Sequence, residues 1–245
     1  MSAAAPCRLL EWDTAFFGVP VARVAGDRLS PGRADEALAW CEAHGVARLE
    51  FLAAVDDPAT VAAVESRGFQ FVDIRMELSS TVPAGGLELP DMTRPSTEHD
   101  LPALEDAAAR NHHDSRYYAD PAIPRERADA LFRTWIRNSC RGYADAVVTA
   151  DAGDGAKGYV TLHHEPAEAP VRIGLLGVHG EARGRGHGRR LIAAAAVEAR
   201  RRGARRLAVV TQGRNVAALR LYEHAGFRAD SVGLWYHRWF AGGRS

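Results

Sequence analysis

The chain has 245 residues, 47% of them hydrophobic, with 31 basic residues balanced by 31 acidic ones. That is enough chain for one large domain or two modest ones, and the charge balance excludes a global field drawing it to nucleic acid or an anionic membrane. No apolar run approaches the roughly 20 residues of a membrane span, "MSAAAPCRLLEW" meets charge too early for a signal peptide, and three scattered cysteines without a CxxC pair exclude a disulfide frame or a zinc site. The expected location is therefore the cytoplasm.

The first stretch with character is "LEWDTAFFGVPVARV", residues 10–24, whose Trp12, Phe16 and Phe17 read as the core of a first strand and turn, or as rings exposed for stacking. "RADEALAWCEAHG" reads as a helix, "VARLEFLAAV" as a strand, "PATVAAVESRG" as a helix and "FQFVDIRMEL" as a strand. The small, Pro- and Gly-containing "SSTVPAGGLELPD" (residues 79–91) marks a boundary. It divides the chain into an N-terminal domain (1–80), a linker (81–91) and a second domain (92–245).

The second domain opens with a helix near Glu98, capped by Ser96 or Thr97, and continues with helical "RERADALFRTWIRNSC". Three strands, "DAVVTA", "AKGYVTLHHE" and "VRIGLLGV", follow at hairpin-like spacing and predict an antiparallel meander. Then "RRLIAAAAVEARRRG", "ARRLAVVTQ", "NVAALRLYEHAG" and "FRADSVGLWYHRWF" repeat the helix–strand–helix–strand order of the first domain. Gly45, Arg48, Leu49, Gly68 and Phe69 match Gly203, Arg206, Leu207, Gly226 and Phe227 at one constant offset, the trace expected of a duplicated unit. The last run, "LWYHRWF", reads as an exposed edge strand across which a homodimer would pair.

"LLGVHGEARGRGHGRRLIAAA", residues 175–195, carries the most specific chemistry. It lacks the lysine and hydroxyl of a Walker loop, and from Gly184 the third glycine of a dinucleotide fingerprint is Arg189. It is single and ordered in pattern, unlike an RGG tract. What remains is a strand, then Arg-x-x-Gly-x-Gly (Arg183, Gly186, Gly188), then a helix. Converging backbone N–H groups and the positive end of the helix there suit a pyrophosphate, without lysine or metal.

This arrangement resembles the GNAT superfamily of acyl-CoA-dependent N-acetyltransferases. The strand ends in Leu176, Gly177 and Val178, the Arg-x-x-Gly-x-Gly motif follows, and the later Asn-x-x-Ala-x-x-Leu-Tyr-x-x-x-Gly-Phe motif reads without a gap as Asn215, Ala218, Leu221, Tyr222, Gly226 and Phe227. His179 and Gly180 stand where many members have a proline. The resemblance implies an α/β (α+β) GNAT fold: a mixed, mostly antiparallel central sheet flanked by helices, preceded here by a smaller degenerate GNAT-like domain. It implies acetyl-CoA as acyl donor and no metal. The N–H groups of Leu176 and Val178 would hold the pantetheine and thioester, and Arg183, Arg185, Gly186, His187, Gly188 and Arg189 the pyrophosphate, with Asn215 and Tyr222 completing the donor site. Tyr222 is the candidate general acid for the departing thiolate, because a phenol keeps its proton at neutral pH. Asn215 either serves the pantetheine arm or caps its helix. The base is open among His163, His164, Glu165, His179 and a water chain, and metal binding by His163 and His164 is excluded because adjacent strand residues point apart.

The N-terminal "LEWDTAFFGVPVARV" and "HHDSRYYADPAIP" (residues 112–124) are similar to segments of the TDP-fucosamine acetyltransferase group of that superfamily. This implies a nucleotide-linked 4-amino-4,6-dideoxyhexose as acceptor, with Arg116 on a phosphate and Tyr117 or Trp12 stacked on a base or sugar ring. Another small-molecule or protein amine as acceptor, and a non-catalytic acyl-CoA-binding module, remain as alternatives.

Overall fold

The computed structural model describes residues 5–151, 153–164 and 169–240. The chain forms two compact units, Met1–Arg75 with Ser115–Pro124 and Val232–Ser245, and Met76–Asp114 with Arg125–Ser231. This division is not the linear one expected from composition. Ser115–Pro124 and the C-terminal strand join the first unit because their side chains complete its buried polar network, described below.

The first unit contains β1 (Cys7–Leu9), α1 (Glu11–Phe17), β2 (Val21–Val24), α2 (Pro31–Ala43), β3 (Arg48–Ala54), α3 (Pro58–Glu65), the first half of β4 (Gln70–Thr81) and most of the C-terminal strand β10 (Arg228–Trp239). β1 is antiparallel to β2, β2 parallel to β3, and β10 antiparallel to β3 from Gly233↔Ala54 to Trp239↔Arg48. Pro31 at the first turn and the Ser30 hydroxyl, which accepts from Arg33 N at 3.3 Å, start α2. The core gathers Phe51, Phe69, Leu49, Val64 and Tyr236.

Two expectations are corrected here. Trp12, Phe16 and Phe17 lie on a helix, not in a strand and turn, and no residue of α1 is buried. Trp12 and Phe16, one helical turn apart, stack at 5.3 Å, and Gly18 (φ 72°) ends the helix in the left-handed region that a side chain disfavours. The "LWYHRWF" run is no exposed edge: β10 lies between β3 and β4 in the strand order, and Tyr236 and His237 are 1% and 0% exposed. Both of its faces and both of its backbone edges are covered, so it offers no row of free N–H and C=O groups to a second copy.

The second unit contains β5 (Thr93–Pro95), α4 (Leu101–Asn111), α6 (Arg125–Asn138), β6 (Ala146–Asp151), β7 (Ala156–His163), β8 (Val171–Val178), α7 (His187–Arg201), β9 (Arg206–Gln212) and α8 (Val216–His224); a short helix α5 (Arg116–Ala119) belongs to the first unit. The strand order β9-β8-β7-β6-β5 is antiparallel except at β8 and β9, so the expected meander and the mixed, mostly antiparallel sheet flanked by helices are present. α7 buries Leu191, Ile192, Ala195 and Ala199, the small side chains allowing close packing on Val160, Leu162, Val171 and Ile173. The expected linker is strapped to the end of α7. Arg200 donates to the carbonyls of Pro83 (2.8 Å) and Gly86 (2.7 Å), and Arg201 to that of Leu87 (2.6 Å). Among the described residues no helix is long and apolar enough to cross a membrane.

Candidate functional site

β8 and β9 are paired over only three residues, Val171↔Leu207 to Ile173↔Val209, although β8 runs on to Val178 and β9 to Gln212. A bulge drives them apart. Opposite β7 the register shifts between Val160↔Leu176 and Leu162↔Ile173, so Gly174 and Leu175 together face Thr161, whose hydroxyl accepts from Leu175 N at 2.9 Å. Gly174 has to be glycine: a Cβ there would lie 2.5 Å from His163 Nε2 and 2.9 Å from Thr161 Oγ1.

Past the bulge the antiparallel ladder fixes which backbone groups are free. His179 N donates to Lys157 O at 2.8 Å, which makes that pair the hydrogen-bonded kind. By alternation Gly177 with Tyr159 is hydrogen-bonded, while Val178 with Gly158 and Leu176 with Val160 are not. The N–H groups of Leu176 and Val178 therefore turn away from β7, towards the side where β9 has diverged.

A cavity of about 540 Å³ opens there, lined by Leu176, Gly177 and Val178 from β8, by the loop and first turn of α7 from Ala182 to Arg189 except Arg185, and by Asn215, Ala217, Ala218 and Leu221 from α8. Gly184 (φ 76°) and Gly186 (φ 83°) turn the chain into α7. The first helical bond is Arg190 N to Gly186 O (3.2 Å), so the N–H groups of His187, Gly188 and Arg189 have no partner within the helix, and its positive end faces the cavity. Gly188 keeps α7 against α8; a Cβ would meet Leu221 Cδ2 at 3.0 Å.

The sequence-derived donor residues therefore converge, with two exceptions. Arg185 lines a second cavity of about 490 Å³ together with Lys157, His179, Asp106 and His187. Tyr222 is not in the lining: Leu221 takes the cavity face of α8, and the Tyr222 ring packs in the core, 5.3 Å from that of Phe227. Its hydroxyl finds no protein hydrogen-bond partner among the described residues, and burial pushes the phenol well above its ordinary range, so it stays protonated. Asn215 is the N-cap of α8, its Oδ1 accepting from Ala218 N at 3.0 Å, and it also lines the cavity.

Asn111 and Asp114 line the same cavity; Asn111 was not legible in the sequence, and Asp114 stood only within the 112–124 segment read for the acceptor, not for this cavity. Asn111 ends α4 and Asp114 follows it, more than sixty residues before the Gly/Arg loop, and no motif links them to that loop. Two polar atoms of the lining residues, Asn111 Nδ2 and His187 Nδ1, are buried without a protein partner. With the free N–H groups, Arg183 and Arg189, this donor set fits a diphosphate and an amide-bearing arm, the chemistry of an acyl-CoA.

The four base candidates do not assemble. His163 lies against the bulge, depressed by burial, with its ring 5.2 Å from that of Tyr143. His164 donates through its backbone N–H to Asp145 Oδ2 (2.7 Å), His179 Nε2 lies 3.4 Å from Asp106 Oδ2 in the second cavity, and Glu165 lies outside the described residues. Among the described residues no group of three or more His, Cys, Asp and Glu side chains is placed to hold a metal.

The three acceptor candidates lie in the first unit. Arg116 Nη2 is 3.3 Å from Glu50 Oε2 and donates to the Tyr117 hydroxyl at 2.6 Å, its guanidinium lying 4.2 Å from the centre of the Trp235 ring. Glu50 is fully buried: burial alone would raise its carboxyl, but Arg116, His237, Arg48 and Arg23 hold it well below the usual carboxylate range. Nearby, Asp120 Oδ2 accepts from Trp239 Nε1 (2.9 Å) and is 2.6 Å from His237 Nδ1. Arg116 thus already has a carboxylate partner, Tyr117 is 3% exposed with its phenol pushed up to about 12 by burial, and Trp12, 41% exposed, is the most accessible of the three.

Comparison with known proteins bears on the same residues. A family model described as acetyltransferase (GNAT) family matches residues 102–227. The chain is 31% identical over 236 residues to a dTDP-fucosamine acetyltransferase of Escherichia coli O6:H1, covering 94% of this chain and 96% of that protein. It is 29% identical over 145 residues to the spore coat polysaccharide biosynthesis protein SpsD of Bacillus subtilis, covering 59% and 50% respectively. Among solved structures, a GCN5-related N-acetyltransferase from Sphaerobacter thermophilus superposes with a TM-score of 0.64 at 17% identity, covering 98% of this chain and 76% of that one. A tandem GNAT protein from the clavulanic acid biosynthesis pathway gives 0.57 at 16%, covering 91% and 76%. These last two share the fold.

Proposed function

Since this chain belongs to the acetyltransferase (GNAT) family, we propose that it transfers the acetyl group of acetyl-CoA to the 4-amino group of a nucleotide-linked 4-amino-4,6-dideoxyhexose. The acceptor class is carried by one observation, the 31% identity over nearly the full length to an enzyme named for dTDP-fucosamine. The donor assignment is supported by the cavity, whose lining supplies backbone and arginine hydrogen-bond donors.

In this reading the free N–H groups at the start of α7, with Arg183 and Arg189, take the pyrophosphate. The outward N–H groups of Leu176 and Val178 take the pantetheine arm and the thioester carbonyl oxygen, stabilising the negative charge that develops there. The neutral amine nitrogen attacks the carbonyl carbon, the carbon–sulfur bond breaks, and the surplus proton of the nitrogen passes to solvent. Tyr222 gives its phenolic proton to the leaving sulfur and recovers one from water. The role is supported by the hydroxyl being protonated and without a protein partner among the described residues; burial in the core, off the cavity lining, counts against it. Arg116, Tyr117 and Trp12 are our candidates for acceptor recognition, in a first unit that we read as a degenerate copy of the catalytic fold. Such an enzyme would act in the cytoplasm, where its donor is made.

The test is free-thiol release from acetyl-CoA with TDP-4-amino-4,6-dideoxygalactose as acceptor. Turnover that depends on this sugar supports the reading. Binding of acetyl-CoA without release in the presence of the sugar would overturn the acceptor and leave the donor.

A further inference from the structure

Asn111, the last residue of α4, is joined to the Arg-x-x-Gly-x-Gly loop by a short bond: its Oδ1 accepts from Arg183 Nη2 at 2.5 Å. Arg183 Nε donates to the carbonyl of Val178 at 3.4 Å. Asn111, Val178 and Arg183 all line the acyl-donor cavity. Two of the three guanidinium nitrogens are therefore held by the wall, and Nη1 has no protein partner among the described residues. Asn111 keeps this orientation although its own Nδ2 is buried without a partner.

An exposed arginine on a glycine-rich loop samples many rotamers, and binding an anion with it requires that freedom to be lost. Tying down Nε and Nη2 in advance removes much of that loss and leaves Nη1 for the anion. We propose that Asn111 is a positioning residue for donor binding, preorganising the Arg183 guanidinium for a phosphate oxygen of the donor. This rests on the acyl-donor reading above and adds to it a residue from outside both sequence motifs.

The experiment is calorimetric titration of CoA into the full chain as wild type, Asn111→Ala, Arg183→Ala and the double variant, with melting curves to verify folding. Asn111→Ala raises Kd by about 3- to 10-fold, the entropic worth of one ordered side chain, Arg183→Ala raises it at least as much because the anion contact itself is lost, and the double variant binds no more weakly than Arg183→Ala alone. Losses that add in the double variant, or an unchanged Kd in Asn111→Ala, overturn the proposal while wild-type binding upholds the donor site. No binding of CoA by the wild type overturns both. Asn111→Asp, nearly isosteric, covers a failure of the alanine variant to fold. It converts the bond into an ion pair that neutralises the guanidinium, so its Kd should rise to at least that of Arg183→Ala, and an unchanged Kd would again sink the idea.

Discussion

His112, one residue past the end of α4, is hydrogen-bonded through Nε2 to the Tyr159 hydroxyl at 2.9 Å, and the Tyr159 ring fills the space that Gly177 leaves in β8. The pair ties α4 to the wall of the cavity beside β8, and His112 also stacks on Phe132 at 4.5 Å. Burial, with His113 and Arg183 nearby, pushes the His112 imidazole down to about 4. The folded protein therefore holds it neutral, while the unfolded chain takes up a proton below a pKa of about 6.5. Its contribution to stability is complete above about pH 6.5 and is lost as pH falls towards about 4. Urea unfolding at about pH 7.5 and about pH 5 should show that loss, and His112→Gln, which can still reach the hydroxyl, should reduce the difference between the two.

The glycines of the cavity wall should differ in their tolerance of a methyl group. A Cβ on Gly158 would lie 2.7 Å from the Gly177 carbonyl oxygen, and one on Gly177 would lie 2.8–2.9 Å from the Tyr159 ring and hydroxyl. Neither neighbour can step aside, so Gly158→Ala and Gly177→Ala should each lose about 1–3 kcal/mol in denaturant unfolding. Gly188→Ala meets only the end of the Leu221 side chain at 3.0 Å, which can rotate, and should lose less than either.

Tyr222→Phe separates chemistry from architecture. The ring belongs to the core cluster that includes Val209, Leu191 and Phe227, whereas the hydroxyl has no protein partner among the described residues. Removing the oxygen should leave melting temperature and CoA affinity close to wild type and lower kcat by about 10²-fold or more. A kcat within a fewfold of wild type would remove Tyr222 from the mechanism.

Asn215 carries two roles that substitution can resolve. Asn215→Ala removes the cap of α8 and should lower stability by about 0.5–2 kcal/mol. Asn215→Ser preserves a capping oxygen and should restore most of that stability. If CoA affinity remains low in the serine variant, the carboxamide also serves the donor, consistent with its place in the cavity lining.

In the first unit, Arg116→Met should be strongly destabilising, because it withdraws a partner from the fully buried Glu50 carboxylate. Breaking a buried pair of this kind costs about 3–5 kcal/mol. The double variant Arg116→Met/Glu50→Gln withdraws the carboxylate from Arg23 and Arg48 as well, so no recovery of stability is expected. If it folds and still transfers acetyl to the sugar nucleotide with an unchanged KM, Arg116 has a structural role only.

Much of the second unit was legible because its signals are local. The period of each element, the Gly-x-Gly turn into α7 and the Asn-to-Phe motif of α8 are short-range steric and hydrogen-bonding requirements written in adjacent residues, and eight of the ten residues expected at the donor site line one cavity, with Arg185 at the second and Tyr222 in the core. The expectation of a helix-flanked, mostly antiparallel sheet followed from the same patterning. What the chain order concealed is long-range. Asn111 and Asp114 join the site because α4 ends beside β8, a placement carried by the His112–Tyr159 bond and not by any pattern around those residues. Asp120 meets His237 and Trp239 across more than a hundred residues, and β10 pairs with β3, turning an apparent edge strand into an interior one. Trp12 and Phe16 were ambiguous because a short aromatic run has no decisive period until its rings find one another at helical spacing. Local stereochemistry determined the elements and the glycine-rich turn into α7; only tertiary structure decided which distant side chains complete the cavity and which charges are buried together, because those depend on contacts that are close in space and remote along the chain.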